Sequence, residues 1–96
     1  MQPQDIISEV VSIIKTRLPQ GYKILLFGSW ARGDALSTSD IDIGILGRER
    51  VPWEVMTQIL ESAGEIPTLR TIDIVDLLGK EEAFRKNVLK YAKLLN

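Results

Sequence analysis

The sequence predicts an α/β fold, α+β in its finer description, with one small mixed β-sheet covered mainly on one side by helices. Three observations carry that expectation. Apolar residues recur at helical spacing in the first, middle and last parts of the chain. Between them lie short apolar runs of strand length, Ile24-Leu25-Leu26-Phe27, Ile41 to Leu46, and Ile72 to Val75. The resulting order is helix, strand, short helix, strand, helix, strand, helix, an alternation that builds a layered sheet. No repeat, low-complexity tract or linker interrupts it, so residues 1–96 read as a single domain.

Pro3 suits a helix start, and from Asp5 the residues Ile6, Ile7, Val10, Val11, Ile14 and Leu18 form one apolar face. Leu18-Pro19-Gln20-Gly21 ends that helix. Tyr22 to Phe27 is a strand, apolar throughout from Ile24, which predicts an internal position in the sheet. After Gly28-Ser29 a short helix runs through Ala31 and Arg32, and Asp34 to Ser39 is a polar loop leading into the second strand. Gly47-Arg48-Glu49-Arg50 is a charged loop. Pro52 opens a helix whose stripe is Trp53, Met56, Ile59, Leu60 and Ala63, ending near Gly64. Leu69 to Val75 is the third strand. The last helix is expected from about Lys80 to Leu95, with Phe84, Val88, Tyr91, Ala92 and Leu95 facing the core and Lys86, Lys90 and Lys93 along one side.

The chemistry concentrates between Gly28 and Leu46. Side chains alternate along a strand, so Asp40, Asp42, Gly44 and Leu46 share one face while Ile41, Ile43 and Ile45 share the other. The Cα atoms of Asp40 and Asp42 lie roughly 6.6 Å apart in such a strand. Two carboxylates this close repel unless a cation neutralises them. At the other end, Gly28 permits a tight turn and Ser29 is expected to cap the short helix, so free N–H groups and a hydroxyl face an anion. Arg32 beside this turn suits either a phosphate or the local carboxylate Asp34. Trp30 suits stacking on a partner or packing against the short helix.

Composition narrows the chemistry further. With 96 residues the chain is near the lower limit for one core, leaving no room for a second, substrate-binding domain. A net charge of −1 argues against strong nucleic-acid binding, which grows with the number of phosphates neutralised. Cysteine is absent, which excludes a disulfide framework and points to a reducing cytoplasm. No signal peptide is expected, and no apolar run approaches the roughly 20 residues that span a bilayer. Without His or Cys, a bound metal must take oxygen ligands, which favours Mg²⁺ or Mn²⁺ over Zn²⁺. A general base would then be a carboxylate.

Gly28-Ser29, ten intervening residues and Asp40-Ile41-Asp42 resemble the signature of the DNA polymerase β-like nucleotidyltransferases. The longer pattern, Gly28-Ser29-x-Ala31-Arg32-Gly33 followed by Ser39-Asp40-Ile41-Asp42, resembles the minimal nucleotidyltransferase (MNT) branch of that superfamily. The resemblance covers most of the chain and implies the nucleotidyltransferase palm fold. It also implies a third carboxylate on the strand next to Asp-x-Asp. Asp73, between Ile72 and Ile74, takes that position, and Asp76 is the alternative, better suited to a cap or turn.

The implied reaction moves a nucleoside monophosphate, AMP from ATP by the resemblance, to an acceptor hydroxyl. Gly28 and Ser29 would hold the β- and γ-phosphates, with Arg32 beside them. Asp40 and Asp42 would hold two Mg²⁺ ions, and Asp73 would complete one metal site and serve as base. Such MNT proteins are commonly paired with a helical HEPN protein as antitoxin and toxin, which makes a tyrosine on a HEPN-type partner the expected acceptor. Two alternatives remain at this stage: a non-catalytic module that binds or scaffolds a partner, and nucleotidylation of a small hydroxylated molecule. A homo- or hetero-oligomer would help so small a chain complete its acceptor site.

Overall fold

The computed structural model describes all residues 1–96. Nine elements follow one another: α1 (Pro3–Arg17), β1 (Lys23–Phe27), α2 (Ser29–Arg32), β2 (Ile41–Leu46), α3 (Trp53–Gly64), β3 (Ile72–Asp76), a 3₁₀ turn (Leu77–Gly79), α4 (Glu82–Leu89) and β4 (Lys93–Leu94). The sheet order is β3-β2-β1-β4. β1 pairs antiparallel with both β2 and β4, whereas β2 and β3 run parallel, so the sheet is mixed as the sequence predicts.

Why α1 forms is local. Pro3 occupies the first turn, where its missing N–H costs nothing, and the Asp5 carboxylate accepts a 3.1 Å hydrogen bond from the Gln2 N–H. Ile6, Val10 and Ile14, each four residues from the next, are essentially inaccessible to solvent. They meet Ile59 and Ala63 of α3 over Ile24, Leu26, Ile41, Ile43, Ile45 and Ile74 of the sheet. This is the main core. The opposite face is covered only in part, where Leu25 and Phe27 pack with Leu77 and Val88. The rest of that face is open and holds the polar cleft described below.

Four expectations are corrected. The last helix does not reach Leu95: it stops at Leu89, the chain tightens through Lys90 and Tyr91, and Lys93–Leu94 becomes a fourth strand. β1 is buried, and without β4 its outer N–H and C=O groups would lack partners. The Leu95 N–H reaches the Ile24 carbonyl at 2.7 Å, and the Asn96 side chain accepts from Ile24 N–H and donates to the Tyr22 carbonyl. Lys93 therefore sits on β4, which breaks the expected lysine row.

The third strand starts at Ile72, not Leu69, which is fully exposed. On α3, Trp53 (73% exposed) and Leu60 (45%) lie outside the core, while Val55 and Met56 pack against it. Helical period placed Met56, Ile59 and Ala63 on the true face and extended it wrongly to Trp53 and Leu60. Ser29 is the first helical residue of α2, and Gly28, not Ser29, is its N-cap. No helix is long and apolar enough to cross a membrane.

Candidate active site

β1 ends at Phe27, and Gly28 turns the chain with φ 71° and ψ −158°, a conformation essentially confined to glycine. The single turn of α2 follows, closed by Gly33 at φ 86°. Its first amides, on Ser29 and Trp30, have no preceding helical carbonyls to bond. β2 then returns antiparallel with Asp42 opposite Phe27, and parallel pairing sets Asp73 beside Asp42. The shared parity aims both carboxylates to the face that lacks the main core. Asp40 lies just before β2 with the same parity.

These residues converge. Gly28, Ser29, Arg32, Asp40, Asp42 and Asp73 all line one cleft of about 710 Å³, with Thr38, Ser39 and a wall of α4 and its flanks. Asp76 does not. Its side chain, 9% exposed, accepts hydrogen bonds from Val51 N–H at 2.8 Å and Leu78 N–H at 3.1 Å and pairs with Arg50. It caps the 3₁₀ turn, the structural role the sequence reading allotted to it.

Burial pushes the Asp42 carboxyl above its ordinary pKa, and repulsion from Asp73 and Asp40 raises it further, with a hydrogen bond to Asp73 adding to the shift. Arg32 acts in the opposite sense but does not outweigh them. Burial works against the Arg32 cation itself, yet attraction to Asp34 and hydrogen bonding to Tyr91 prevail and raise its pKa. The Asp34 pair spans 3.5 Å between largely exposed groups, so it holds Arg32 weakly. Arg32 thus keeps both expected options, lining the cleft while touching Asp34.

The carboxylates are not closed around one point as a ready three-ligand cluster. Their chemistry nonetheless fits a hard divalent cation, because the donors are all oxygen and a half-buried carboxylate between two others gains from added positive charge.

The family model for polymerase β nucleotidyltransferases matches residues 9–96. The chain belongs to this nucleotidyltransferase family. It is 32% identical over 89 residues to a Haemophilus influenzae protein named as a probable protein adenylyltransferase, MntA, covering 90% of this chain and 78% of that one. A solved chain described as a provisionally assigned minimal nucleotidyltransferase superposes with a TM-score of 0.72 at 25% identity, covering 99% of this chain and 97% of that one. A chain from the complex of tri-AMPylated Shewanella oneidensis HEPN toxin with MNT antitoxin has the same fold, with a TM-score of 0.63 at 22% identity, covering 98% and 71% of the two chains.

Two features of this nucleotidyltransferase's cleft escaped the sequence reading. The Tyr91 hydroxyl accepts hydrogen bonds from Gly28 N–H and Arg32 Nη1, both at 3.3 Å, and its ring lies 5.5 Å from the Arg32 guanidinium. Lys80, Phe84 and Asn87 line the same wall. Helical spacing assigned Tyr91 and Phe84 to the core, and no local signal distinguishes a core aromatic from one at a cleft. Trp30 is structural: its Nε1–H donates to the Ser39 carbonyl at 3.1 Å and Arg70 lies over its ring. Arg70 also bonds the Ser37 carbonyl, so these two side chains brace the loop that presents Asp40.

Proposed function

We propose that this nucleotidyltransferase, acting as one domain over residues 1–96, moves AMP from ATP to the hydroxyl of a tyrosine on a HEPN-type helical partner, as an MNT antitoxin. The observation that carries the reading is the Asp42–Asp73 pair, set side by side on β2 and β3 and lining one cleft with the adjoining Gly28-Ser29 turn. The relative named a protein adenylyltransferase supports adenylyl transfer to protein. The fold shared with a chain from a complex holding an AMPylated HEPN toxin supports the partner class.

In this mechanism the free Ser29 and Trp30 amides and the Ser29 hydroxyl, at the turn that Gly28 opens, bind the β- and γ-phosphates, and Arg32 adds positive charge beside them. Asp40, Asp42 and Asp73 would hold Mg²⁺, which would supply charge neutralisation for the triphosphate and the leaving pyrophosphate. The acceptor oxygen forms a bond to the α-phosphorus as the bond from that phosphorus to the bridging oxygen breaks. Pyrophosphate leaves, and Asp73, more exposed than Asp42, takes the hydroxyl proton.

The test is to incubate the purified chain with Mg²⁺, ATP labelled in the α-phosphate, and its cognate HEPN-type helical protein. Label on a partner tyrosine, lost in Asp42→Ala, is expected. A partner that stays unlabelled while the chain still inhibits it would replace this reading with a scaffold.

A further inference from the structure

The α4 end of the cleft contains a group that the proposed reaction leaves without a task. Tyr91 follows α4 and reaches across to the phosphate-facing turn, where its oxygen accepts from Gly28 N–H and Arg32 Nη1. A phenol oxygen has two lone pairs and one proton. Both lone pairs are engaged, which leaves the proton for a third partner. That oxygen lines the same cleft as Ser29 and Arg32, where the other available donors are placed for an anion.

We infer that the Tyr91 hydroxyl is a ligand of the triphosphate chain, donating to a phosphate oxygen while it holds the Gly28 amide and the Arg32 guanidinium in position. The inference rests on the triphosphate reading of this cleft. Two features set Tyr91 apart from a packing residue. Its ring is only partly buried, at the junction of the small cluster of Leu25, Phe27, Leu77 and Val88 with the main core, while its hydroxyl reaches Gly28 and Arg32 at the cleft. Its position is also fixed by β4 pairing that begins two residues later at Lys93, so the hydroxyl is presented by the sheet rather than by a loose tail.

The test compares Mg²⁺–ATP affinity by calorimetry for the wild-type chain, Tyr91→Phe and Tyr22→Phe, with thermal denaturation of each. Tyr91→Phe keeps the ring over Arg32 and removes only the oxygen. Tyr22, the other tyrosine, packs against Gly47 away from the cleft and serves as control. Losing a hydrogen bond to a charged group is expected to weaken ATP binding about tenfold or more in Tyr91→Phe, with cooperative unfolding kept and only a small drop in melting temperature from the freed Gly28 N–H, and with Tyr22→Phe like wild type. Equal affinity in Tyr91→Phe and wild type overturns the inference alone, and equal weakening in both variants does the same by showing a general effect. Absence of ATP binding in wild type overturns the triphosphate site, and this inference with it.

Discussion

Gly28 lies directly beneath the Asp42 carboxylate. A Cβ placed on Gly28 would overlap Asp42 Oδ2 and stand 2.9 Å from its Cγ, so the Gly28-Ser29 turn and the floor of the carboxylate pair share one volume. The glycine is required twice, for its backbone conformation and for the space its missing side chain leaves.

Gly28→Ala should therefore damage the site more than the fold. Its backbone conformation costs a non-glycine residue about 1–3 kcal/mol, and the methyl group must displace Asp42. ATP binding below the detection limit of calorimetry, in a chain that still unfolds cooperatively in urea, is the expected result. Wild-type affinity would show that the turn and Asp42 are not coupled.

Asp42 is expected to trade stability for function. Its folded-state pKa is raised by burial and by Asp73 and Asp40, so folding favours its protonated form. The resulting destabilisation is absent below the unfolded-state pKa, grows as pH rises from there through the folded-state value, and is complete above it. Metal-free Asp42→Asn should melt a few degrees above wild type at pH 7, and the difference should vanish near pH 3. Mg²⁺ should raise the melting temperature of wild type and leave the variant unmoved. A variant that melts below wild type at pH 7 contradicts this account.

Asp73 and Asp76, three residues apart, should part company when each is changed to alanine. Asp76→Ala strands the N–H groups of Val51 and Leu78 and should cost about 2 kcal/mol of stability, with ATP binding retained in the folded fraction. Asp73→Ala should keep its urea midpoint and lose AMP transfer by orders of magnitude. Reversed effects would assign the third carboxylate to Asp76.

Gly44 lies on the cleft face of β2, under the 3₁₀ turn. A Cβ there would come within 2.7 Å of Leu77 Cδ1 and 3.0 Å of its Cγ, and Leu77 is fully buried. Gly44→Ala should overpack this small cluster and lower stability by about 1–3 kcal/mol, measured by urea denaturation. An unchanged midpoint would show that Leu77 moves freely.

Much of the site was legible because its logic is short-range in sequence. Strand alternation puts Asp40 and Asp42 on one face without knowledge of the fold, and Gly28-Ser29 after an apolar run marks a turn by backbone sterics alone. The covering helix α1 was readable for the same reason, since Ile6, Val10 and Ile14 repeat at the helical period. Trp53 was misplaced because a large apolar side chain satisfies a helical stripe on either side of the true face, and only the partner surface decides between them.

What the sequence determined by itself was the alternation of elements, the facing of the Asp-x-Asp pair and the turn opposite it, because each follows from the geometry of neighbouring residues. What only tertiary structure decided was the end of the chain. Lys93 to Asn96 pairs with the exposed edge of β1 although its local pattern continues a helix, because unpaired hydrogen-bonding groups on a buried strand cost more than the last helical turn gains. That same switch brings Tyr91 to Gly28, a contact between residues 63 positions apart that no local pattern encodes.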